Sequence, residues 1–179
     1  MANYADIAKN TNPQAIQGGY KDVVLFAPLA DFLSLKKPTP TPTALGDLLT
    51  IDEAHTFTSP KGFHNWASKK ASVTITAETQ GDPGAQQLRH TCVFTILGDG
   101  ATTQEQMEKM LNDDLIFLVK EANCLVADSY VQLGDECVTP DVSIAFDAAN
   151  SREGVKAWTV TVAVTGKKFF YVAAVTEAS

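Results

Sequence analysis

No apolar run in this chain approaches the roughly 20 residues of a membrane-spanning helix, so no membrane anchor is expected. Cysteine is scarce. Cys92, Cys124 and Cys137 form an odd set without CxxC spacing, which leaves neither a disulfide framework nor a zinc ribbon in the pattern. Reduced, partly buried thiols are the expected state, and a Cys124–Cys137 disulfide stays open. Positive charge is also short. Fourteen Lys and Arg against 21 Asp and Glu give a net charge of −7, and the cations cluster only in pairs such as Lys36-Lys37, Lys69-Lys70 and Lys167-Lys168. That balance argues against tight nucleic-acid binding, which draws most of its affinity from neutralised phosphates. A surface along which DNA slides without being gripped is compatible with that balance.

Catalytic signatures are missing too. There is no GxSxG elbow, Walker loop, HExxH or GxGxxG after a strand. His55, His64 and His90 lie far apart, and none has metal-ligand spacing to another histidine or to a cysteine. His90 alternates with Leu88, Cys92 and Phe94 on one strand face, which suits a core or interface histidine better than a ligand, with a small metal option through Cys92. Glu53 and His55 form a conceivable acid–base couple with no nucleophile beside them. No catalytic residue, cofactor or metal is expected, and the chain is read as a non-enzyme. The first residues carry neither a basic region nor an apolar h-region, so no signal peptide is expected and synthesis in a cytoplasm is.

What the sequence does have is alternation. Residues 72–79 place Val73, Ile75 and Ala77 opposite Ser72, Thr74, Thr76 and Glu78; Gly81-Asp82-Pro83-Gly84 then turns the chain into a returning strand over 86–97, making a long hairpin. Residues 141–146 set Val142, Ile144 and Phe146 against Asp141, Ser143 and Ala145. Residues 155–165 set Trp158, Val160, Val162 and Val164 against Ala157, Thr159, Thr161 and Thr165. The small, hydroxylated second face suits a sheet that lines water or meets another subunit. Further strands are expected over 22–30, 48–57, 127–134 and 169–175.

One helix interrupts the strands. Thr102 precedes Glu105 by three residues, the capping-box spacing, and predicts a helix over about 103–112. Met107, Met110 and Leu111 share one face, and Glu105 can pair with Lys109 on the other. The apolar run 115–119 follows as a buried strand. These elements predict a mainly β fold, an antiparallel sandwich or barrel flanked by one helix.

Two segments read as arms. Residues 1–20 are polar, rich in Asn and Gln, and closed by Gly18-Gly19. Residues 36–43 carry Pro38, Pro40 and Pro42, which favour an extended path. A stiff linker and an arm reaching a neighbouring subunit stay equally open. Residues 21–179 then form a single domain. Phe63, His64 and Trp66 are placed in a loop after the turn 59–62, where aromatics either pack over the core edge or mark an interface.

From residue 102 to residue 171 the order of elements resembles the major tail (tail tube) proteins of tailed bacteriophages. The carrying features are the helix, the segment Asp114-Leu-Ile-Phe-Leu-Val-Lys-Glu121, and Tyr130-Val-Gln-Leu-Gly134. Val142-Ser-Ile-Ala-Phe-Asp147, the Gly154-Val-Lys156 turn before a Thr/Val strand, and a closing Phe169-Phe-Tyr171 complete the order. The resemblance implies a virion protein made in a bacterial host. It would assemble into hexameric rings that stack into a hollow tube, contact other tail proteins, and let DNA pass without specific binding. Pro38, Pro40, Pro42, Phe63 and Trp66 are the expected inter-subunit contacts, and Asp and Glu are expected to dominate the charge of the bore. The alternatives are a capsid cement or tail-completion protein, the tube of a contractile secretion or injection system, and a monomeric β-sandwich binding module or enzyme.

Overall fold

A computed structural model describes residues 19–122, 129–150 and 154–178. Residues 1–18 of the arm expected over 1–20, and the cysteine at position 124, lie outside these. In chain order the strands are β1 (Tyr20–Pro28), β2 (Phe32–Ser34), β3 (Thr50–Ile51), β4 (Thr56–Phe57), β5 (His64–Ala67), β6 (Thr74–Gln80) and β7 (Gln87–Leu97). Helix α1 (Ala101–Met110) follows, then β8 (Leu115–Glu121), β9 (Tyr130–Leu133), β10 (Asp141–Asp147), β11 (Ala157–Thr165) and β12 (Lys168–Tyr171). The mainly β architecture with one flanking helix agrees with the expectation from sequence.

Two sheets pack face to face. The larger has six strands in the order β3-β12-β9-β8-β1-β5, and the smaller has four in the order β10-β11-β7-β6. Between them lies a core in which Val24, Phe26, Phe117, Val119, Val131 and Leu133 of the large sheet meet Cys92, Phe94, Val160, Val162 and Val164 of the small one. Met107 and Met110 of α1 close one side of this core. Period-two alternation in β7, β10 and β11 delivers these residues to one face, as the sequence pattern requires.

The large sheet is buried on its other face as well, which explains why β8 reads as an unbroken apolar run. Leu25, Leu118, Tyr130, Phe169 and Tyr171 are covered there by the excursion between β1 and β5, through Phe32, Phe57 and Phe63. Each buried aromatic or aliphatic side chain of these layers contributes on the order of 1.5–3 kcal/mol.

Five local expectations are corrected. The helix begins two residues earlier than the capping box proposed: Gly100 is the N-cap, its carbonyl takes the Gln104 N–H at 3.0 Å, and no side chain caps it. Thr102 therefore sits inside the first turn, and Glu105 turns to Lys109 at 2.8 Å. Leu111 lies past the last turn and is 49% exposed, whereas Met107 and Met110 are buried. Residues 48–57 do not form one strand; two short strands flank a bend that drives His55 into the core. Tyr20, assigned to the arm, already belongs to β1, and residues 64–67 form strand β5 where a loop was expected, because the outer side of β1 offers open backbone groups to them.

Gly134 shows how closely the chain turns between β9 and β10. Its φ is +93°, and a Cβ there would lie 2.6 Å from Pro140 Cδ. Only glycine fits both the left-handed backbone and the contact.

Candidate functional site

Titratable groups are mostly occupied by structure. His55 is buried, stacks on Tyr171 with ring centroids 4.7 Å apart, and uses both ring nitrogens. Nδ1 accepts the Lys36 N–H at 3.0 Å, and Nε2 lies 2.8 Å from Gln132 Oε1, so the proton sits on Nε2. Gln132 passes the chain on through its Nε2, which donates to the Gly134 carbonyl at 3.0 Å. Burial pushes the His55 pKa below its ordinary value, with the Gln132 hydrogen bond opposing. Glu53 is turned to Lys36 at 2.8 Å and forms no acid–base couple with His55.

Burial also pushes the Cys92 thiol up to about 12, which keeps it an inert core group. His90 is buried beside it with an unpaired Nδ1, and its pKa is lowered by desolvation and by Lys168. Among the described residues, no three His, Cys, Asp or Glu side chains converge in a metal-holding group.

The Pro-rich segment is the outer part of a closed loop. Its neck is held by the Lys36–His55 hydrogen bond, the Lys36–Glu53 ion pair and a Lys37–Glu136 contact that ties it to the turn after β9. Its tip is fixed by the Asp47 carboxylate, which accepts the backbone N–H groups of Thr43 and Ala44 at 2.8 Å each. This built tip displays Leu45, 86% exposed, next to Leu48. Pro40 and Pro42 are exposed and Pro38 is half-buried.

The small sheet presents an open outward face. Across its strands run the rows Asp141–Ala163–Thr91–Thr76 and Ser143–Thr161–Val93–Thr74, with Ala145–Thr159–Thr95 beside them. Carboxylates at Glu78, Asp141 and Asp147 stand against one cation, Arg89, which is directly opposite Glu78.

Both borders of this sheet are open among the described residues. Gly98 N–H donates to Lys156 O and Gly166 N–H to Leu88 O, so even-numbered residues of β7 and β11 exchange their mutual hydrogen bonds. Antiparallel alternation then fixes the rest. Ile75, Ala77 and Thr79 of β6 turn their backbone groups outward on one border, and Val142, Ile144 and Phe146 of β10 do so on the other. All six carry core-facing side-chain positions.

The five residues expected at interfaces divide. The structure keeps Pro38, Pro40 and Pro42 together on the loop, but buries Phe63 to 1% exposure within an aromatic cluster of Phe32, Phe57 and His55. Phe63 offers no ring to the outside. Trp66 is half-buried, its ring edge-on to Phe26 at 4.8 Å, and lines a groove of about 590 Å³ between β5 and α1. Sequence reasoning missed the two sheet borders and Leu45. The alternation of β6 and β10 was visible, but a period of two says which face a residue takes and not whether a neighbour strand exists. Comparison of the chain with protein-family models, with curated proteins and with solved structures finds no match.

Proposed function

We propose that this chain is a structural subunit of a hollow tube, of the kind formed by phage tail tube proteins, in which copies join into rings through the borders of the small sheet and line a conduit for DNA. The observation that carries the reading is the complementarity of those borders. The small sheet has four antiparallel strands, so β6 and β10 run in opposite directions. Cyclic repetition therefore sets β6 of one copy antiparallel to β10 of the next. The outward backbone groups on both borders belong to core-facing positions, so the seam would pair Ile75 and Ala77 with Val142 and Ile144 without flipping a face. The hydroxylated face then continues around the ring, and closure removes edges that would otherwise promote disordered aggregation.

Dimensions support the reading. A six-fold ring would align about 24 strands, and at about 4.8 Å per strand the backbone circle is about 37 Å across, enough for a duplex about 20 Å wide with small side chains between. A four-fold ring, at about 24 Å by the same spacing, would not clear it. Thr and Ser with a few carboxylates wet the wall and offer phosphates little to bind. The Leu45 loop, rigid at its tip and apolar at its end, suits contact with another copy.

Negative-stain microscopy with size-exclusion chromatography across a concentration series tests this. Rings or tubes of uniform width are expected. A monomer at every concentration, also in the presence of tail-initiating proteins, overturns the proposal.

A further inference from the structure

The proline loop hangs on a histidine whose protonation state is dictated by the groups around it. Gln132 of β9 is 1% exposed, and its Nε2 donates to the Gly134 carbonyl at 3.0 Å. Its Oε1 is thereby turned to His55 Nε2, 2.8 Å away, which must carry the proton. Nδ1 is left as the acceptor, and the Lys36 N–H fills it at 3.0 Å. Stacking on Tyr171, with the rings of Phe32 and Phe63 also against it, holds the imidazole in this orientation. The backbone N–H of His55 is fixed as well, by the Tyr171 hydroxyl at 3.2 Å, which itself donates to the Ala174 carbonyl at 2.7 Å.

A second proton on this ring has one place to go, Nδ1, where it would meet the Lys36 N–H donor to donor. The carboxylates near the neck do not offset that charge, because Glu53 is turned to Lys36 and Glu136 to Lys37. Tyr171 faces the ring uncharged, its pKa raised by burial. Burial disfavours the imidazolium, and the Lys36 ammonium repels it further. The segment closed by the neck is built to move as a piece. Ser34 stays paired with Thr56 on one side of it, and Thr50 with Phe170 on the other. Between them the tip holds itself, through Asp47 on the Thr43 and Ala44 N–H groups and through the Gly46 carbonyl, which accepts the Leu49 N–H at 2.9 Å. The two ion pairs at the neck lie at the surface, where such pairs contribute little.

We propose that His55 is an acid-sensitive latch on the proline loop: a proton on Nδ1 expels the Lys36 N–H, opens the neck and releases residues 35–49, while the strands on either side stay paired. Opening brings the ring to water, where a histidine titrates near its ordinary value of about 6.5. The open form therefore binds the proton more readily than the closed one. The loop is held above about pH 7 and is progressively released as pH falls toward 5. Linkage sets the ceiling of the effect. At pH 5, proton binding raises the open-to-closed ratio by up to about thirtyfold over its value at neutral pH. Leu45, displayed at the tip, then moves with the loop. The latch goes beyond the tube reading and operates whether or not copies assemble.

Amide exchange followed residue by residue in the full chain, from about pH 7.5 to about pH 5 and corrected for the intrinsic pH dependence of exchange, tests the latch. The range ends there because Lys36 holds the Glu53 pKa below its ordinary value, so that ion pair persists throughout. The Lys36 amide should lose protection at least about fivefold and at most about thirtyfold. Leu118, between β1 and β9 in the large sheet, and Thr43 and Ala44 at the loop tip should keep theirs. His55→Asn leaves an amide oxygen close to the Nδ1 position and nothing to titrate, so the pH dependence at Lys36 should vanish. His90→Gln, at the other buried histidine, should leave it in place. If either variant fails to fold, the wild-type comparison of Lys36 with Leu118 decides. Lys36 protection that is flat across the range overturns the proposal. A parallel loss at Leu118 also overturns it, since acid then acts by unfolding the whole domain. So does a dependence that survives His55→Asn or disappears with His90→Gln.

Discussion

Replacing Ala77 by proline separates the seam from the fold. Ala77 lies on β6 with an exposed side chain, and its N–H points to the open border, so Ala77→Pro removes no hydrogen bond within the subunit. The cost to the monomer should stay below about 1 kcal/mol, that of bringing φ toward the proline value on an edge strand. One residue earlier the outcome inverts. Thr76 pairs with Thr91 of β7 through its backbone, so Thr76→Pro loses a ladder bond and sets a ring against the neighbouring strand, at about 3 kcal/mol or more. In the assembled ring the order reverses again for Ala77. A missing donor opposite β10 strands a carbonyl at every seam, at about 1–3 kcal/mol each, and each 1.4 kcal/mol is about a tenfold change in association. Guanidinium unfolding followed by Trp66 and Trp158 fluorescence reads the fold, and sedimentation with microscopy reads assembly. The expected pattern is Ala77→Pro folded and unassembled, with its assembly threshold raised at least tenfold. If Ala77→Pro assembles at the wild-type concentration, the β6–β10 seam is wrong. If it unfolds as readily as Thr76→Pro, the assignment of the open border is wrong.

Other expectations follow from single sites. Gly134→Ala should destabilise by about 2–3 kcal/mol in chemical denaturation, from left-handed backbone strain and the Pro140 contact together; an effect below about 0.5 kcal/mol would contradict this turn geometry. Phe94→Ala, fully buried between the sheets, should cost about 3–5 kcal/mol by leaving a cavity. His55 has a folded pKa below its unfolded value near 6.5, so the unfolded chain binds more protons in that range. Its contribution is therefore complete above about pH 7 and declines as pH falls toward 5. His55→Gln should flatten the part of the pH–stability curve left after His90, whose shift has the same sign, is replaced in the background. Peptide mapping after brief alkylation at pH 8 should find Cys137 modified in the native protein and Cys92 modified only after unfolding, because Cys137 is exposed and Cys92 is a buried thiol with a pKa of about 12.

The amino-acid order by itself determined the elements whose cause is local. The hairpin over β6 and β7, the buried run of β8 and the two-faced pattern of β11 were all legible, because side-chain period and turn chemistry act within a few residues. The same locality fixed that the outward face of the small sheet would be small and hydroxylated. Tertiary structure decided what depends on neighbours distant in sequence. Phe63 reads as a loop aromatic until the excursion from β1 folds over the large sheet and encloses it. His55 is anonymous in the chain, yet its backbone N–H donates to the hydroxyl of Tyr171, 116 residues away, and its ring fixes the neck of the proline loop. The open borders of β6 and β10 are set by which strand finds which partner across the whole chain. That choice comes from closing two layers over one core, and no period within a single strand records it.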